Sequence, residues 1–427
     1  MESDGLRTAP VRPISFVIAR FAAAAADWLH LAPRLDADEL EAAAVADLGG
    51  PFVDTRFREP LAILVRSLRE EAALNAVGRA MAAASILRGL VNLRSLEIAW
   101  GGAEPPAGCA VPPGEGPIFL VGLPRTGTTI LHHLMSLDPV LRPLRLFESM
   151  SPIRLPGAGH GERSSEAVRR AAATRAKQNI DALAPHLRSV HDIDADGPEE
   201  CLWLLQSWFV SEAYPIGYAV PSYLEWLAAR GPEDWSRVYR GYLGAIAHLS
   251  EPGDSRRWLL KCPLHAGHVA LIARLCPRAR FVVTYRDAAE VVASTASLLH
   301  ALRTTGSDAV DPALIGSDVL GIVARWAEAD ARQTREDAAL LDGRVARLHY
   351  RELVADPTAA LERVYGTLGL DWSDANAASV RAYLAAHPQG RHGAHHYAVE
   401  EFGLSRDEVE RAMAPYVARE QSLRPVK

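Results

Sequence analysis

The chain has 427 residues, 49% hydrophobic and 23% charged, with a formal net charge of −6. This balance excludes a disordered chain, which lacks apolar residues, and a nonspecific nucleic-acid binder, which needs a basic surface. No uncharged apolar run approaches the roughly 20 residues of a membrane span, and the four scattered cysteines (Cys109, Cys201, Cys262, Cys276) suit a reduced, cytoplasmic setting.

From the N-terminus, Val11 to Ala26 follows Arg7 and Arg12 as a signal peptide would, but Arg20 interrupts its apolar stretch, so an ordinary helix is expected. Helical periodicity without strand signals runs from about Ile14 to Trp100. Asp36 is placed to cap a helix opening Ala37-Asp38-Glu39-Leu40-Glu41, and Gly49-Gly50-Pro51 ends it. A second helix is expected from Pro60 to about Ala76, with Leu61, Leu64, Val65 and Leu68 on one face. Gly101 to Gly116 reads as a linker. The expected division is a helical N-terminal region, residues 1–113, and an α/β domain, residues 114–427.

The most informative stretch opens the second part. Ile118 to Val121 is a short apolar run that reads as a buried strand, and Thr128 to Met135 reads as a helix. Between them lies Gly122-Leu123-Pro124-Arg125-Thr126-Gly127. Strand, glycine turn and helix N-terminus together form an anion cradle, because backbone N–H groups converge there with the positive end of the helix dipole. The spacing fits G-x-x-x-x-G-K-[ST], except that Thr128 occupies the lysine position. That lysine holds the β- and γ-phosphates of a nucleoside triphosphate, so its absence argues against an ordinary ATPase, GTPase or kinase. Arg125 is the nearest cation.

Further strands are expected at Trp258–Lys261, Phe281–Tyr285 and Val345–Tyr350, alternating with helices at Ala266–Leu275, Ala288–Leu302 and Ala313–Leu340. The alternation predicts a P-loop-like, mainly parallel sheet flanked by helices, with ligands at the carboxyl ends of the strands. The long insertion, residues 151–256, must carry its own helices, one of them following Gly197-Pro198-Glu199-Glu200 and running from Cys201 to Val210. Its many aromatics, Trp203, Trp208, Tyr214, Tyr223 and Trp226 among them, suit both packing and an apolar pocket. Cys262, with no base specified beside it, reads as a small buried residue.

The turn Pro124-Arg125-Thr126-Gly127-Thr128-Thr129 resembles the 5′-phosphosulfate loop of the sulfotransferases, which use 3′-phosphoadenosine 5′-phosphosulfate (PAPS). Three later segments extend the resemblance across about residues 115–400. Tyr285-Arg286-Asp287, followed by Ser294, is similar to the Arg-Asp-Pro and serine pair that holds the 3′-phosphate, with Ala288 in place of the usual proline. Tyr350-Arg351-Glu352-Leu353 resembles the stretch whose tyrosine lies near the adenine. Gly390-Arg391-His392-Gly393 resembles the closing loop, which implies 3′-phosphate contacts for Arg391 and Gly393 and leaves His395 and Tyr397 without assigned contacts.

The resemblance implies Arg125, Thr126, Gly127, Thr128, Thr129, Arg286, Ser294, Tyr350, Arg391 and Gly393 as the PAPS site, with no metal. Arg125 and Lys261 are expected to stabilise developing charge. The acceptor's proton is expected to go to Glu148, which stands where many members carry a glutamate and whose neighbours Leu146, Phe147 and Met150 would partly desolvate it. His265 and His191 are the other bases considered. The expected activity is sulfuryl transfer to a hydroxyl of a small molecule, lipid or glycan, the aromatic insertion favouring an apolar or amphipathic acceptor. A small-molecule kinase with a degenerate P-loop is weakened by the missing lysine and the lack of a clear strand-end magnesium aspartate. A noncatalytic nucleotide-binding interaction protein is weakened by the presence of residues for every catalytic role.

Overall fold

A computed structural model describes residues 34–106, 116–153, 165–183, 194–251, 253–387 and 398–425. The helix expected at Val11–Ala26, Cys109, His191 and the closing-loop residues Arg391, Gly393, His395 and Tyr397 lie outside the described residues.

Among the described residues, three helices precede the sheet: α1 (Ala37–Leu48), α2 (Arg58–Glu70) and α3 (Ala76–Trp100). Asp36 caps α1 by accepting from the N–H groups of Asp38 and Glu39, both at 3.1 Å. Leu61, Leu64, Val65 and Leu68 form the buried stripe of α2. These side chains share one apolar core with one face of the sheet, including Phe119, Phe281 and Trp258.

The sheet has five parallel strands: β1 (Ile118–Gly122), β2 (Leu141–Pro143), β3 (Arg257–Lys261), β4 (Arg280–Tyr285) and β5 (Val345–His349), in the order β2-β3-β1-β4-β5. Every residue of β1 and β3 is buried, which explains the apolar runs Ile118–Val121 and Trp258–Leu260, since helices cover both faces of a parallel sheet. The central strand β1 pairs with β3 on one side and β4 on the other, with Leu120 opposite Lys261 and Gly122 opposite Thr284. Chain order therefore reverses around β1, and a crevice opens beyond its carboxyl end.

The remaining labelled helices are α4 (Thr128–Met135), α5 (Leu146–Met150), α6 (Pro232–Leu249), α7 (Ala288–Gly306), α8 (Pro312–Glu336), α9 (Tyr350–Ala355) and α10 (Ala414–Leu423). The edge strand β2 lies outside the expected set, because a three-residue segment containing Arg142 and Pro143 has no strand signature. The helix expected over Cys201–Val210 is broken. It runs from Leu202 to Leu205, becomes a 3₁₀ turn at Gln206–Trp208, and stops where Phe209 adopts a left-handed backbone, φ 58°.

Helix α3 meets the end of α7 through two glycines. A Cβ on Gly78 would collide with the carbonyl oxygen of Gly306, so the two backbones are in direct contact. Gly78→Ala is expected to lower stability by about 1–3 kcal/mol through overpacking, read as a reduced denaturant midpoint at unchanged slope.

Candidate functional site

The loop after β1 is shaped by glycines and hydroxyls. Gly127 has φ 91°, and a Cβ there would stand 2.8 Å from Cδ2 of Tyr350. Glycine therefore meets two demands at once, a left-handed turn and close approach of a ring. Thr126 turns inward: its hydroxyl donates to the Leu123 carbonyl at 2.7 Å and lies 2.6 Å from the Thr284 hydroxyl on β4. Thr126 thus staples the loop to the sheet, and its side chain has no free face. Thr128 and Thr129 begin α4, whose N-terminus points its unpaired N–H groups into the crevice.

Two arginines meet at this loop. Arg125 holds a left-handed backbone, φ 67°, and its Nε donates to Ser294 Oγ at 3.0 Å. The Arg125 carbonyl accepts from Nη1 of Arg286 at 3.0 Å. The Arg286 guanidinium also lies 4.5 Å from the centre of the Tyr350 ring and pairs with Glu290 at 2.8 Å. Residues far apart in the chain, Arg125, Arg286, Ser294 and Tyr350, therefore form one contact group.

The turn carrying Arg286 is held from behind by the C-terminal helices. Tyr416 on α10 accepts from the Arg286 N–H and donates to its carbonyl, both at 3.0 Å. Asp287 caps α7 through the Glu290 N–H and pairs with Arg406 at 3.1 Å and Arg424 at 3.4 Å. Arg424 pairs in turn with Glu420, which meets His349 at 2.8 Å at the end of β5.

Three members of the contact group, Arg125, Arg286 and Tyr350, line a cavity of about 430 Å³, and Ser294 holds Arg125 from behind. Pro124, Arg125, Gly127, Thr128, Thr129, Arg286 and Tyr350 line the mouth, while Glu199, Glu200 and Trp203 line the insertion side. Deeper in, the wall is apolar, formed mainly by leucines of α7 and by Val319, Ile322, Val323 and Trp326 of α8. This combination, a few polar groups converging at one end of an apolar chamber, is how small-molecule sites are built.

The predicted bases occupy different surroundings. Glu148 is buried and committed: Oε1 accepts from Arg142 at 2.8 Å, and Oε2 accepts from the Arg145 N–H at 3.1 Å, capping its own short helix α5. It does not line the cavity. His265 sits in a box of Phe119, Tyr239 and Tyr242, its Nδ1 3.0 Å from the Tyr239 hydroxyl. Burial, aided by His268, pushes its pKa down to about 3, and it too lies away from the cavity wall. Cys262 is fully buried, and burial holds its thiol well above the ordinary value.

Lys261 ends β3 as a fully buried side chain and donates to Glu200 Oε1 at 2.6 Å. Burial pulls its pKa down, but Glu200 and Glu199 more than offset this, and the net shift is upward. Lys261 therefore stays charged. The two glutamates come from Gly197-Pro198-Glu199-Glu200, which reads locally as a helix start. Tertiary contacts aim it instead, through the Glu199 N–H to the Leu144 carbonyl at 2.8 Å and the Cys201 N–H to the Lys261 carbonyl at 2.9 Å. Sequence reading missed both carboxylates, and the one available signal was a Glu-Glu pair inside an otherwise apolar stretch.

A sequence model of the sulfotransferase family matches residues 117–374, more than half of the chain. The chain is 27% identical over 300 residues to the omega-hydroxy-beta-dihydromenaquinone-9 sulfotransferase Stf3 of Mycobacterium bovis and of Mycobacterium tuberculosis, covering 67% of this chain and 71% of each relative. Among solved structures it is similar to sulfotransferase STF1 of Mycobacterium tuberculosis H37Rv, with a TM-score of 0.70 and 26% identity over 88% of this chain and 98% of that one. It also shares the fold of sulfotransferase STF9 of Mycobacterium avium, with a TM-score of 0.75 and 22% identity over 90% and 96% of the two chains. The chain belongs to the sulfotransferase family, and it is an enzyme of sulfuryl transfer.

Proposed function

We propose that the enzyme moves a sulfuryl group from PAPS to a hydroxyl on an apolar or amphipathic small molecule or lipid. The observation that carries this reading is the contact group of Arg125, Arg286, Ser294 and Tyr350, gathered around a lysine-free glycine loop at the mouth of an apolar chamber. The chain's residues suit such a donor. The loop N–H groups and the N-terminus of α4 suit the 5′-phosphate and sulfonate. Arg286 and Ser294 suit the 3′-phosphate, with Arg391 and Gly393 proposed to complete that site, and Tyr350 offers a ring for the adenine. The mycobacterial relatives named for a menaquinone derivative support an apolar acceptor.

In the transfer, the acceptor oxygen forms a bond to sulfur while the bond from sulfur to the phosphate oxygen breaks. Negative charge then grows on that phosphate oxygen. Arg125, which lines the cavity, is the cation assigned to stabilise it, and Lys261 is assigned to act from behind its bonded partner Glu200. The acceptor's proton needs a carboxylate facing the chamber, and we assign Glu200 in place of Glu148. Glu200 lines the cavity, whereas both oxygens of Glu148 are already engaged by Arg142 and a helix N–H. His265 is disfavoured because an imidazolium would have to form inside its aromatic box.

Titration calorimetry with 3′,5′-diphosphoadenosine is expected to show binding that EDTA does not abolish. Arg286→Ala and Ser294→Ala should each weaken it by about 10- to 100-fold, the loss of a charge-assisted contact. Binding of magnesium-ATP in its place would favour the kinase reading.

The proton assignment is tested by turnover. Incubation with PAPS and a lipid extract, read by mass spectrometry as sulfonate gain, should show Glu200→Gln reduced by about 10²- to 10⁴-fold while diphosphoadenosine still binds. Glu148→Gln should act mainly on stability, because it leaves the buried Arg142 short of its partner. Normal turnover in Glu200→Gln beside a folded, inactive Glu148→Gln would return the base to Glu148.

A further inference from the structure

Helix α10 reaches the donor side of the site through a single oxygen. Arg286 stands one residue past the last ladder pair of β4 and β5, Tyr285 opposite His349, so its peptide groups lie beyond the sheet. The Tyr416 hydroxyl serves both of them, accepting from the Arg286 N–H and donating to the Arg286 carbonyl, each at 3.0 Å. An N–H only donates and a carbonyl only accepts, so the phenol proton points at the carbonyl. Burial holds this phenol well above its ordinary pKa, and the proton stays in place.

That oxygen is itself held in place. Tyr416 is buried beside Tyr285, with ring centres 5.5 Å apart. One turn further along α10, the buried carboxylate of Glu420 lies 2.8 Å from Nε2 of His349. Nδ1 of the same ring accepts from the Arg351 N–H at 3.0 Å, which puts the ring proton on Nε2, facing Glu420. Glu420 and Asp287 also share Arg424, just past the end of α10. The helix is therefore tied both to the turn after β4 and to the end of β5, where Arg286 and Tyr350 stand.

We propose that Tyr416 is a positioning residue which, by fixing the peptide groups of Arg286, sets the preference of the enzyme for an adenylate bearing a 3′-phosphate. Only Arg286 and Asp287 join β4 to α7, so a shift of the Arg286 backbone is carried directly to its guanidinium. Nε of that guanidinium is engaged by Glu290 at 2.8 Å and Nη1 by the Arg125 carbonyl at 3.0 Å, which leaves Nη2 to a ligand. A charge-assisted bond is short and directional, and a displaced guanidinium loses it. The 5′ end of the nucleotide is served by the glycine loop, which Thr126 anchors to the sheet independently of Tyr416. The inference rests on the reading of Arg286 and Ser294 as the 3′-phosphate site.

The test is calorimetry on the full chain with 3′,5′-diphosphoadenosine and with adenosine 5′-phosphate, which lacks only the 3′-phosphate. The wild type is expected to prefer the diphosphate by about 10- to 100-fold. Tyr416→Phe keeps the ring and removes the oxygen; it should weaken diphosphoadenosine about tenfold and leave adenosine 5′-phosphate within about twofold. In an Arg286→Ala background the same substitution should change neither affinity, because no guanidinium remains to be placed. If Tyr416→Phe does not fold, p-aminophenylalanine in place of Tyr416, which keeps a donor toward the carbonyl, is judged by the same ratio, with a loss of about threefold expected. An undiminished preference in the Tyr416 variant, an equal loss for both nucleotides, or a further loss in the Arg286→Ala background overturns the proposal and leaves the donor site standing. Equal binding of the two nucleotides by the wild type overturns the 3′-phosphate reading itself, and the proposal with it.

Discussion

The short contact between the hydroxyls of Thr126 and Thr284 joins the ends of the two central strands, and the site's geometry follows from it. The register places Gly122 opposite Thr284, and a Cβ on Gly122 would run into the Thr284 hydroxyl. Glycine at one strand end thus makes room for a threonine at the next, and that threonine anchors the loop. With the loop anchored, Arg125 is turned toward α7, where it meets Ser294, and its carbonyl is left open to Arg286. A phosphate-binding site needs donors fixed before the ligand arrives, and here the fixing is done by the sheet.

The same constraint explains what could be read from the sequence. Strands buried in a parallel sheet carry short runs of apolar and β-branched residues, so β1, β3, β4 and β5 are visible in the sequence, and the glycine loop follows β1 at a recognisable spacing. Arg286 and Ser294 are visible because a strand end and the second turn of the following helix are close in any such unit. Glu148 shows where that logic stops. Its surroundings in sequence, Leu146, Phe147 and Met150, say nothing of Arg142, which reaches it across the turn after β2. Glu200 is aimed by backbone contacts to Leu144 and Lys261, distant in the chain, so its position is a tertiary fact with no local signature.

Charge is divided between the two sides of the mouth. Arg125 and Arg286 stand on the loop side, where an anionic donor would lie. Glu199 and Glu200 stand on the insertion side, with Lys261 beneath them at the end of β3. Lys261 stays protonated in a fully buried position only because the carboxylates outweigh its desolvation, and its charge in turn helps depress the neighbouring His132 well below the usual histidine range, a shift that burial dominates. One buried cation is therefore shared between a carboxylate and whatever negative charge develops nearby. In the transfer proposed above, Lys261 leans toward the leaving phosphate oxygen while Glu200 is released to take a proton, so that a single side chain couples the two ends.

The chamber also gives the N-terminal helices a part in the site. Met81 on α3 lines the same cavity as Thr128 and Trp326, less than one turn from the point where Gly78 touches Gly306. Contact between two backbones leaves no side chain to act as a cushion, so α3 and the end of α7 are held at a fixed separation. Because α7 also carries Ser294 at its other end, one rigid helix relates the closed end of the chamber to the donor loop. The separation of the Gly306 end of α7 from the loop that Ser294 meets is then set by helix length instead of by loop conformation, and on the reading proposed above an acceptor is measured along α7.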